Sequence, residues 1–364
     1  MLPRETTETV SRRPTVSVIV PARNEEPCLR ACLESLVAQT GVASEVIVVD
    51  DHSTDRTREI AVSVLGVRVI DASPLTPGWT GKNNAVACGA RIAQGEWLLF
   101  TDADTVHLPG SLARSLDEAK RHGAALLSYS PEQAVVSAWE KAVMPVIFAE
   151  LASRYSPSQV SDPNSAVAAA NGQYILITRD AYDAVGGHAA IADNLLEDVA
   201  LARALKRSGR KILFRYGGDA VRTRMYRSLP QLREGWTKNL ALLFPSPVFL
   251  AFWRLLEFAV VLASLTLLTV GIVQKNFFYA ALCIIPPAIS VMRISRAHFS
   301  SDANVLALLG LPFFSYLLLR SKRAHANGGV AWKGRSYTPP TTKKTASPSD
   351  ASETSVNTQL RIEN

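Results

Sequence analysis

Charged residues and cysteines are scarce in this chain. Of its 364 residues, 20% are charged and 48% are hydrophobic, which is apolar for a purely soluble protein. The pair Cys28 and Cys32 has no second pair to complete a zinc site, so we expect the four cysteines to be reduced and structural. Residues 1–14 are polar and lack the apolar core of a signal peptide, which predicts a cytoplasmic location for the domain that follows.

The chain also lacks the alternation of aromatic and basic residues that binds single-stranded nucleic acid. Its net charge of +7 is concentrated in residues 203–238 and 320–335, and both stretches flank apolar segments. An anionic membrane surface explains this distribution better than nucleic acid does. We therefore expect a membrane and no nucleic acid among its partners.

Strand and helix patterns alternate over the first hundred residues. Strands are predicted over 15–20, 45–49, 67–70 and 96–100, and helices over 29–37, 55–65 and 82–93. This alternation predicts an α/β fold with a mostly parallel sheet, whose polar strand ends meet at one edge. The apolar stretch 133–153 is too short and too broken to span a bilayer, and is either a core helix or a helix on the membrane surface.

Three apolar segments follow, over 252–273, 277–292 and 305–319. The first two are long enough to form a membrane hairpin, whereas the third is short and contains Gly310 and Pro312. Three full spans would place the basic residues after Leu319 outside, against the positive-inside rule, so we favour two spans and a shallow third segment. The predicted organisation is a polar segment (1–14), a catalytic domain (15–240), a membrane region (250–320), an interfacial segment (321–340) and a disordered tail (341–364).

The strongest chemical signal is the apolar run that ends in Asp102 and Asp104. A buried strand with this ending brings both carboxylates to the carboxyl edge of a sheet. Mg²⁺ is commonly held there by one or two carboxylates together with substrate phosphates. The pattern predicts metal-assisted handling of a nucleotide diphosphate.

Three other polar groups stand at the same predicted edge: residues 21–26, 50–55 and 81–85. With Asp102-Ala103-Asp104, and with Asn171-Gly172-Gln173, Gly186-Gly187-His188 and Glu197-Asp198 downstream, this ordered set resembles glycosyltransferase family 2, the inverting enzymes of GT-A fold. The resemblance covers about residues 15–236. It implies a GT-A catalytic domain, followed here by the membrane helices.

The resemblance also implies a role for each matching residue. Pro21, Ala22 and Glu25 would line the uridine pocket, Asp51 would accept the uracil N–H with Asp50 beside it, and Lys82 would approach the base or the diphosphate. Asp102 would hold the ribose side, and Asp104, with Asp102, would bind Mg²⁺ or Mn²⁺. Residues implied near the acceptor are Asn171, Gly172, Gln173, His188, Arg233 and Trp236.

Glu197 and Asp198 open a predicted amphipathic helix, where two acids also suit the helix dipole. By resemblance Asp198 is the general base for the acceptor hydroxyl, and Glu197 orients it. His107 is within reach of the predicted metal, but we interpret it as a plain loop histidine.

One motif departs from the family. Processive relatives and several lipid glycosyltransferases carry Gln-x-x-Arg-Trp, whereas here Gln231 and Trp236 are one residue too far apart and Gly235 stands in place of the arginine. The basic and aromatic segment 330–337 is either a membrane-interface anchor or, by resemblance to members with a Trp-Lys-Gly-Arg segment, a part that folds back near the site.

Together these features predict an inverting, metal-dependent enzyme of the cytoplasmic membrane, multi-pass and with its catalytic domain in the cytoplasm. It would move a hexose from a nucleotide sugar, with UDP favoured, to a lipid. A processive polysaccharide synthase and a non-catalytic nucleotide-sugar-binding scaffold remain alternatives. A sugar-1-phosphate nucleotidyltransferase is disfavoured, because residues 21–27 contain no glycine.

Overall fold

The β-branched segments at the start of the chain form the centre of a mixed sheet. The computed structural model describes residues 14–337, so the predictions for 1–13 and 338–364 lie outside the described residues. The strands are β1 (Val16–Ala22), β2 (Ser44–Asp50), β3 (Val67–Asp71), β4 (Trp97–Phe100), β5 (Thr105–His107), β6 (Leu126–Ser130), β7 (Glu132–Gln133), β8 (Ile175–Thr178), β9 (Ile212–Tyr216), β10 (Val221–Thr223), β11 (Val330–Trp332) and β12 (Arg335–Tyr337).

The large sheet has seven strands in the order β3-β2-β1-β4-β8-β6-β9. Strands β3, β2, β1 and β4 are mutually parallel, as predicted, and β8 runs antiparallel to both its neighbours. Strands β5, β10 and β7 form a second sheet, and β11 and β12 form an antiparallel hairpin. The carboxyl ends of β1, β2 and β4 therefore meet at one edge, where the predicted polar groups stand.

Helices cover both faces of the large sheet and continue into an apolar C-terminal region. They are α1 (Leu29–Val37), α2 (Thr57–Ser63), α3 (Gly81–Ile92), α4 (Ser111–His122), α5 (Ala138–Arg154), α6 (Pro157–Ser161), α7 (Arg179–Ala184), α8 (Glu197–Arg207), α9 (Leu229–Leu243), α10 (Pro247–Val273), α11 (Phe277–Ile294), α12 (Ser301–Leu306) and α13 (Leu311–Ala326). Each strand and helix predicted over the first hundred residues is present, with ends shifted by a few residues. The four cysteines are free thiols, as expected.

The predicted apolar helix over 133–153 is α5, and it packs in a core of its own. Val143, Met144, Val146 and Ile147 are buried there, against residues of α9 and α13. Burial of each such side chain contributes about 1.5–3 kcal/mol. Of the two readings of this stretch, core packing is the one that the structure supports.

Three helices are long and apolar enough to cross a membrane, by length and composition: Pro247–Val273, Phe277–Ala297 and Ser301–Ala326. In the apolar windows of the first two, 17% and 22% of residues are buried, against 50% in the third. The third is also divided, since a 3₁₀ turn over Ala307–Gly310 separates α12 from α13. Its closer packing against α9 distinguishes it from the other two.

Candidate active site

A single cavity of about 660 Å³ lies at the carboxyl edge of the large sheet. It brings together most of the residues that the sequence predicts for the site. Those that line it are Pro21, Ala22, Glu25, Asp51, Lys82, Asp102, Asp104, Asn171, Gly172, Gln173, Glu197, Asp198 and Trp236. These residues come from both ends of the catalytic domain, so the fold collects them into one place.

Lys82 connects the two halves of this cavity. It stands in the first turn of α3, whose start is capped by Thr80, and its Nζ lies 2.7 Å from both Asp102 Oδ1 and Glu197 Oε1. Although burial opposes it, the two carboxylates raise the pKa of Lys82 well above its usual value, and Lys82 in turn lowers the pKa of the buried Glu197. The lysine is therefore a fixed positive charge between Asp102 and Glu197.

A buried asparagine fixes this arrangement. Asn83 Nδ2 donates hydrogen bonds to the carbonyl oxygens of Ile191, Ala192 and Asn194, at 2.9–3.1 Å. These bonds hold the loop before α8 against α3, and so place Glu197 beside Lys82. The role of Asn83 is not predictable from the sequence, because an asparagine beside a lysine at a helix start carries no signal of this distant contact.

Asp198 is held by backbone groups in the first turn of α8. Its Oδ2 accepts a hydrogen bond from the Gly172 N–H at 3.0 Å, and its Oδ1 accepts one from the Val199 N–H at 2.7 Å. Burial, followed by the charge of Glu197, raises the pKa of Asp198 to about 6. A carboxylate with this pKa is mostly ionised at neutral pH and binds a proton more readily than an ordinary aspartate.

Gly172 leaves the space that this cluster needs. A Cβ at this position would lie 2.9 Å from Lys82 Nζ and 3.2 Å from Glu197 Oε1. Gly172 is predicted near the acceptor, and its direct contact in the structure is the hydrogen bond to Asp198. Its neighbour Gln173 is buried, and its side chain forms hydrogen bonds with Gln133 and Thr223.

Asp102 and Asp104 are suited to a divalent cation that shares its ligands with a substrate. Asp104 Oδ1 is buried and has no hydrogen-bond partner. Burial, followed by the charges of Asp102 and Glu25, raises the pKa of Asp104 to about 7, which indicates a need for positive charge. Residues 14–337 contain no group of three or more metal-ligating side chains, so phosphate or water oxygens would have to complete the shell.

The hairpin of β11 and β12 folds back onto the side of the cavity that is predicted to bind the nucleotide. Arg335 forms an ion pair with Asp51, with Nη2 at 2.9 Å from Oδ1, and Lys333 pairs with Glu25. Of the two readings of segment 330–337, the structure therefore supports the one that returns it to the site. Asp51, predicted as the partner of a base N–H, is bound by a guanidinium that the list of predicted site residues did not include.

The same hairpin reaches the other side of the cavity through Trp332. Lys238 Nζ lies 5.1 Å from the centre of the Trp332 ring, which is within cation–π range. Burial lowers the pKa of Lys238, although the charges of Glu197, Asp102 and Asp198 oppose this. The hairpin thus contacts both the donor-side acids and a second lysine of the site.

Three predicted site residues do not line the cavity. Asp50 is buried and accepts a hydrogen bond from the Ser53 N–H. His188 is buried against Phe100 and Tyr182, and burial lowers its pKa to about 4. Arg233 is exposed, on a face of α9 that does not line the cavity.

His107 is also a structural residue, though not in a loop as predicted. It lies on β5, fully buried, with Nε2 3.1 Å from Thr101 Oγ1, and burial lowers its pKa to about 3. The departure from Gln-x-x-Arg-Trp has a packing reason, because a Cβ at Gly235 would collide with the Tyr226 ring. Trp236 keeps its place in the cavity wall despite the altered spacing.

One end of the cavity is apolar. It is lined by Phe148, Leu151 and Ala152 of α5 and by Tyr155 directly after it, with Phe214 and Leu243. None of these residues is among the predicted site residues, although the spacing of the first four, at i, i+3, i+4 and i+7, is typical of one face of a helix. The cavity therefore joins a charged end to an apolar end.

Comparisons with known proteins agree with this geometry. Residues 17–185 match the model of the family described as Glycosyl transferase family 2. The chain is 31% identical over 234 residues to a 4,4'-diaponeurosporenoate glycosyltransferase of Staphylococcus haemolyticus, an alignment that covers 62% of this chain and 61% of that relative. It is 28% identical over 340 residues to the protein of the same name from Staphylococcus aureus (strain USA300), covering 88% of both chains.

A solved structure shares the fold. The mannosyltransferase of Pyrobaculum calidifontis, in complex with GDP-Man and Mn²⁺, superposes with a TM-score of 0.52 at 18% identity, over 86% of this chain and 87% of that one. The α/β sheet with apolar helices at the C-terminal end is thus the GT-A architecture predicted from the sequence. Residues 17–185 are thus a domain of glycosyltransferase family 2, and the chain is a glycosyltransferase.

Proposed function

We propose that this enzyme transfers a hexose from a nucleotide-diphosphate sugar, with UDP as the expected nucleotide, to a lipid acceptor at the membrane surface, with inversion at the anomeric carbon. The observation that carries the proposal is the cavity itself. It joins donor-side carboxylates, a candidate base and an apolar end within one space, beside helices that are apolar enough to cross a membrane. The two staphylococcal relatives, named for a carotenoid substrate, support an acceptor of this class.

On the donor side, Asp51 would accept the N–H of the base, and Pro21, Ala22 and Glu25 would line its pocket. A carboxylate is a suitable partner for an N–H donor. Arg335 must leave Asp51 for this to happen, and its guanidinium would then be free to pair with phosphate oxygens. Lys82, fixed by Asp102 and Glu197, would keep the carboxylates from repelling the diphosphate.

Asp102 and Asp104 would hold Mg²⁺ or Mn²⁺. Such an ion, when bound, neutralises charge on the departing diphosphate. The unpartnered Oδ1 of Asp104 supports this assignment.

On the acceptor side, Asp198 would take the proton from a hydroxyl as its oxygen attacks the anomeric carbon. Gly172 and Val199 hold both carboxylate oxygens, so the side chain is fixed in place before the acceptor arrives. A well-placed base contributes roughly 10²–10⁴ in rate. Glu197, through its ion pair with Lys82, would hold the lysine in a fixed position relative to Asp198.

The test is transfer of label from a panel of nucleotide sugars into a native lipid extract, with Mg²⁺ or Mn²⁺, by the wild type and by Asp198→Asn. We expect label in the organic phase with one donor, and a loss of at least 10²-fold in the variant. Label in a water-soluble product would contradict the lipid acceptor and indicate a soluble acceptor. Binding of UDP without turnover of any donor would favour a scaffold, and a long water-soluble polymer would favour a processive synthase.

A further inference from the structure

One face of α5 forms a wall at the apolar end of the cavity. Phe148, Leu151, Ala152 and Tyr155, the residue that follows the helix, are each half-buried and line the cavity, whereas Ile147 and Ala149 on either side of Phe148 are buried. We call the first four the α5 stripe. Because they share one face of the helix, they form a continuous apolar strip about two turns long.

The α5 stripe lies beside the ends of the candidate membrane helices. Glu150, in the same turn of α5, pairs with Arg254 of α10 at 2.9 Å and with Arg293 of α11. Arg293 also pairs with Glu257 of α10 at 3.1 Å. This buried network holds α5 against both helices of the apolar hairpin, at the end where each meets the catalytic domain.

The far wall of the same cavity is the turn that follows α11. Arg296 and His298 are exposed there and line the cavity, and the His298 ring stacks on Tyr216 with centroids 4.1 Å apart. Phe299 packs edge-on against Phe148 of the α5 stripe at 6.0 Å. The cavity thus runs from Asp198, along α5, to the end of an apolar helix.

From this continuity we infer that the α5 stripe is the groove through which the hydrocarbon chain of the acceptor enters from the bilayer, between α5 and the turn after α11. The chain would lie on the stripe with its polar end toward Asp198. A small, fully polar acceptor would find no partners along this strip, whereas an amphipathic molecule satisfies both ends of the cavity. The inference rests on the proposed function, which it makes more specific.

A matched pair of variants tests the groove. Ala152→Phe places a ring on the stripe, whereas Ser153→Phe places the same ring on the exposed neighbouring position, outside the cavity. Each full-length variant is reconstituted in phosphatidylcholine vesicles with native lipid extract and labelled donor. We expect Ala152→Phe to reduce lipid transfer at least tenfold more than it reduces donor hydrolysis without acceptor, and Ser153→Phe to leave both rates unchanged.

A second readout does not depend on turnover. A fatty acid that carries a photoreactive diazirine is added to the vesicles, and its cross-links are mapped by mass spectrometry. We expect cross-links on Leu151 and Tyr155 in the wild type, reduced at least fivefold by Ala152→Phe, with cross-links to exposed Phe252 of α10 as the internal control.

The two readouts separate failure of the groove from failure of the proposed function. Cross-links on the stripe without lipid transfer by the wild type would overturn the proposed acceptor and retain an apolar-chain groove. Lipid transfer with no cross-links on the stripe, or equal losses in both variants, would overturn the groove and retain the proposed function.

Discussion

Arg335 of the C-terminal hairpin is paired with Asp51 at the end of β2, 284 residues away in the chain. The side chain of Asp51 is 6% exposed, so the guanidinium covers the carboxylate that family resemblance assigns to the nucleotide base. Lys333 covers Glu25 in the same way. The predicted nucleotide pocket is therefore covered by a segment of the same chain that follows the apolar helices.

The first prediction concerns this pair. In Arg335→Ala, Asp51 is free to accept a base N–H, so we expect uridine to bind about fivefold more tightly, as loss of a competing ion pair worth about 1 kcal/mol implies. UDP should gain less, because the same guanidinium would otherwise pair with its phosphates. Calorimetric titration of uridine and UDP into the detergent-solubilised protein measures both, and an unchanged affinity for uridine contradicts the prediction.

The second prediction is a pH profile. Asp198, as the proposed base, would act only when it is ionised. Its pKa is raised to about 6, so activity should rise with pH and reach half of its plateau near pH 6. Asp198→Asn should lose roughly 10²–10⁴ of the rate, whereas Asp193→Asn, at an exposed position outside the cavity, should keep it.

The same profile reports on the acceptor. A hydroxyl acceptor needs the base, but a carboxylate acceptor is already ionised at neutral pH and does not. Initial rates between pH 5 and pH 8 therefore distinguish a hydroxyl acceptor from a carboxylate acceptor. A flat profile with nearly full activity of Asp198→Asn would remove the base assignment and indicate an acidic acceptor.

The third prediction concerns the space beneath Lys82. Gly172→Ala adds a methyl group 2.9 Å from Lys82 Nζ, so the lysine must shift away from Asp102 and Glu197. We expect the turnover rate to fall at least tenfold while the melting temperature changes by only a few degrees, as for a local rearrangement. Steady-state kinetics and a thermal melt provide the comparison, and a loss of folding without a specific loss of turnover would argue against a catalytic cause.

The fourth prediction is metal dependence. Chelation should abolish sugar transfer, and Mg²⁺ or Mn²⁺ should restore it. Asp104→Asn should raise the metal concentration needed for half-maximal activity at least tenfold, because one carboxylate ligand is lost. Asp117→Asn, on the exposed face of α4, is the control. Full activity in the presence of EDTA would contradict metal dependence. It would indicate that Lys82, Lys333 and Arg335 neutralise the charge of the diphosphate without a metal ion.

Local sequence determined the framework of this protein. The apolar runs of β1, β2 and β4 each end in polar residues, and parallel pairing leaves those ends at one edge whatever the rest of the chain does. Asp51, Asp102 and Asp104 could therefore be predicted at one edge, whereas Asp198 was joined to them only by the family resemblance. The apolar segments after residue 247 were equally evident, because length and hydropathy are local properties.

Tertiary packing decided what surrounds those carboxylates. The ion pair of Arg335 with Asp51 and the bonds of Asn83 to the loop before α8 join positions far apart in the chain, and no local pattern encodes them. Burial also divided residues that look alike in sequence. His107 and His188 are buried in the core, and the cost of burying a charge lowers their pKa. Lys82 keeps its charge because it lies between two carboxylates.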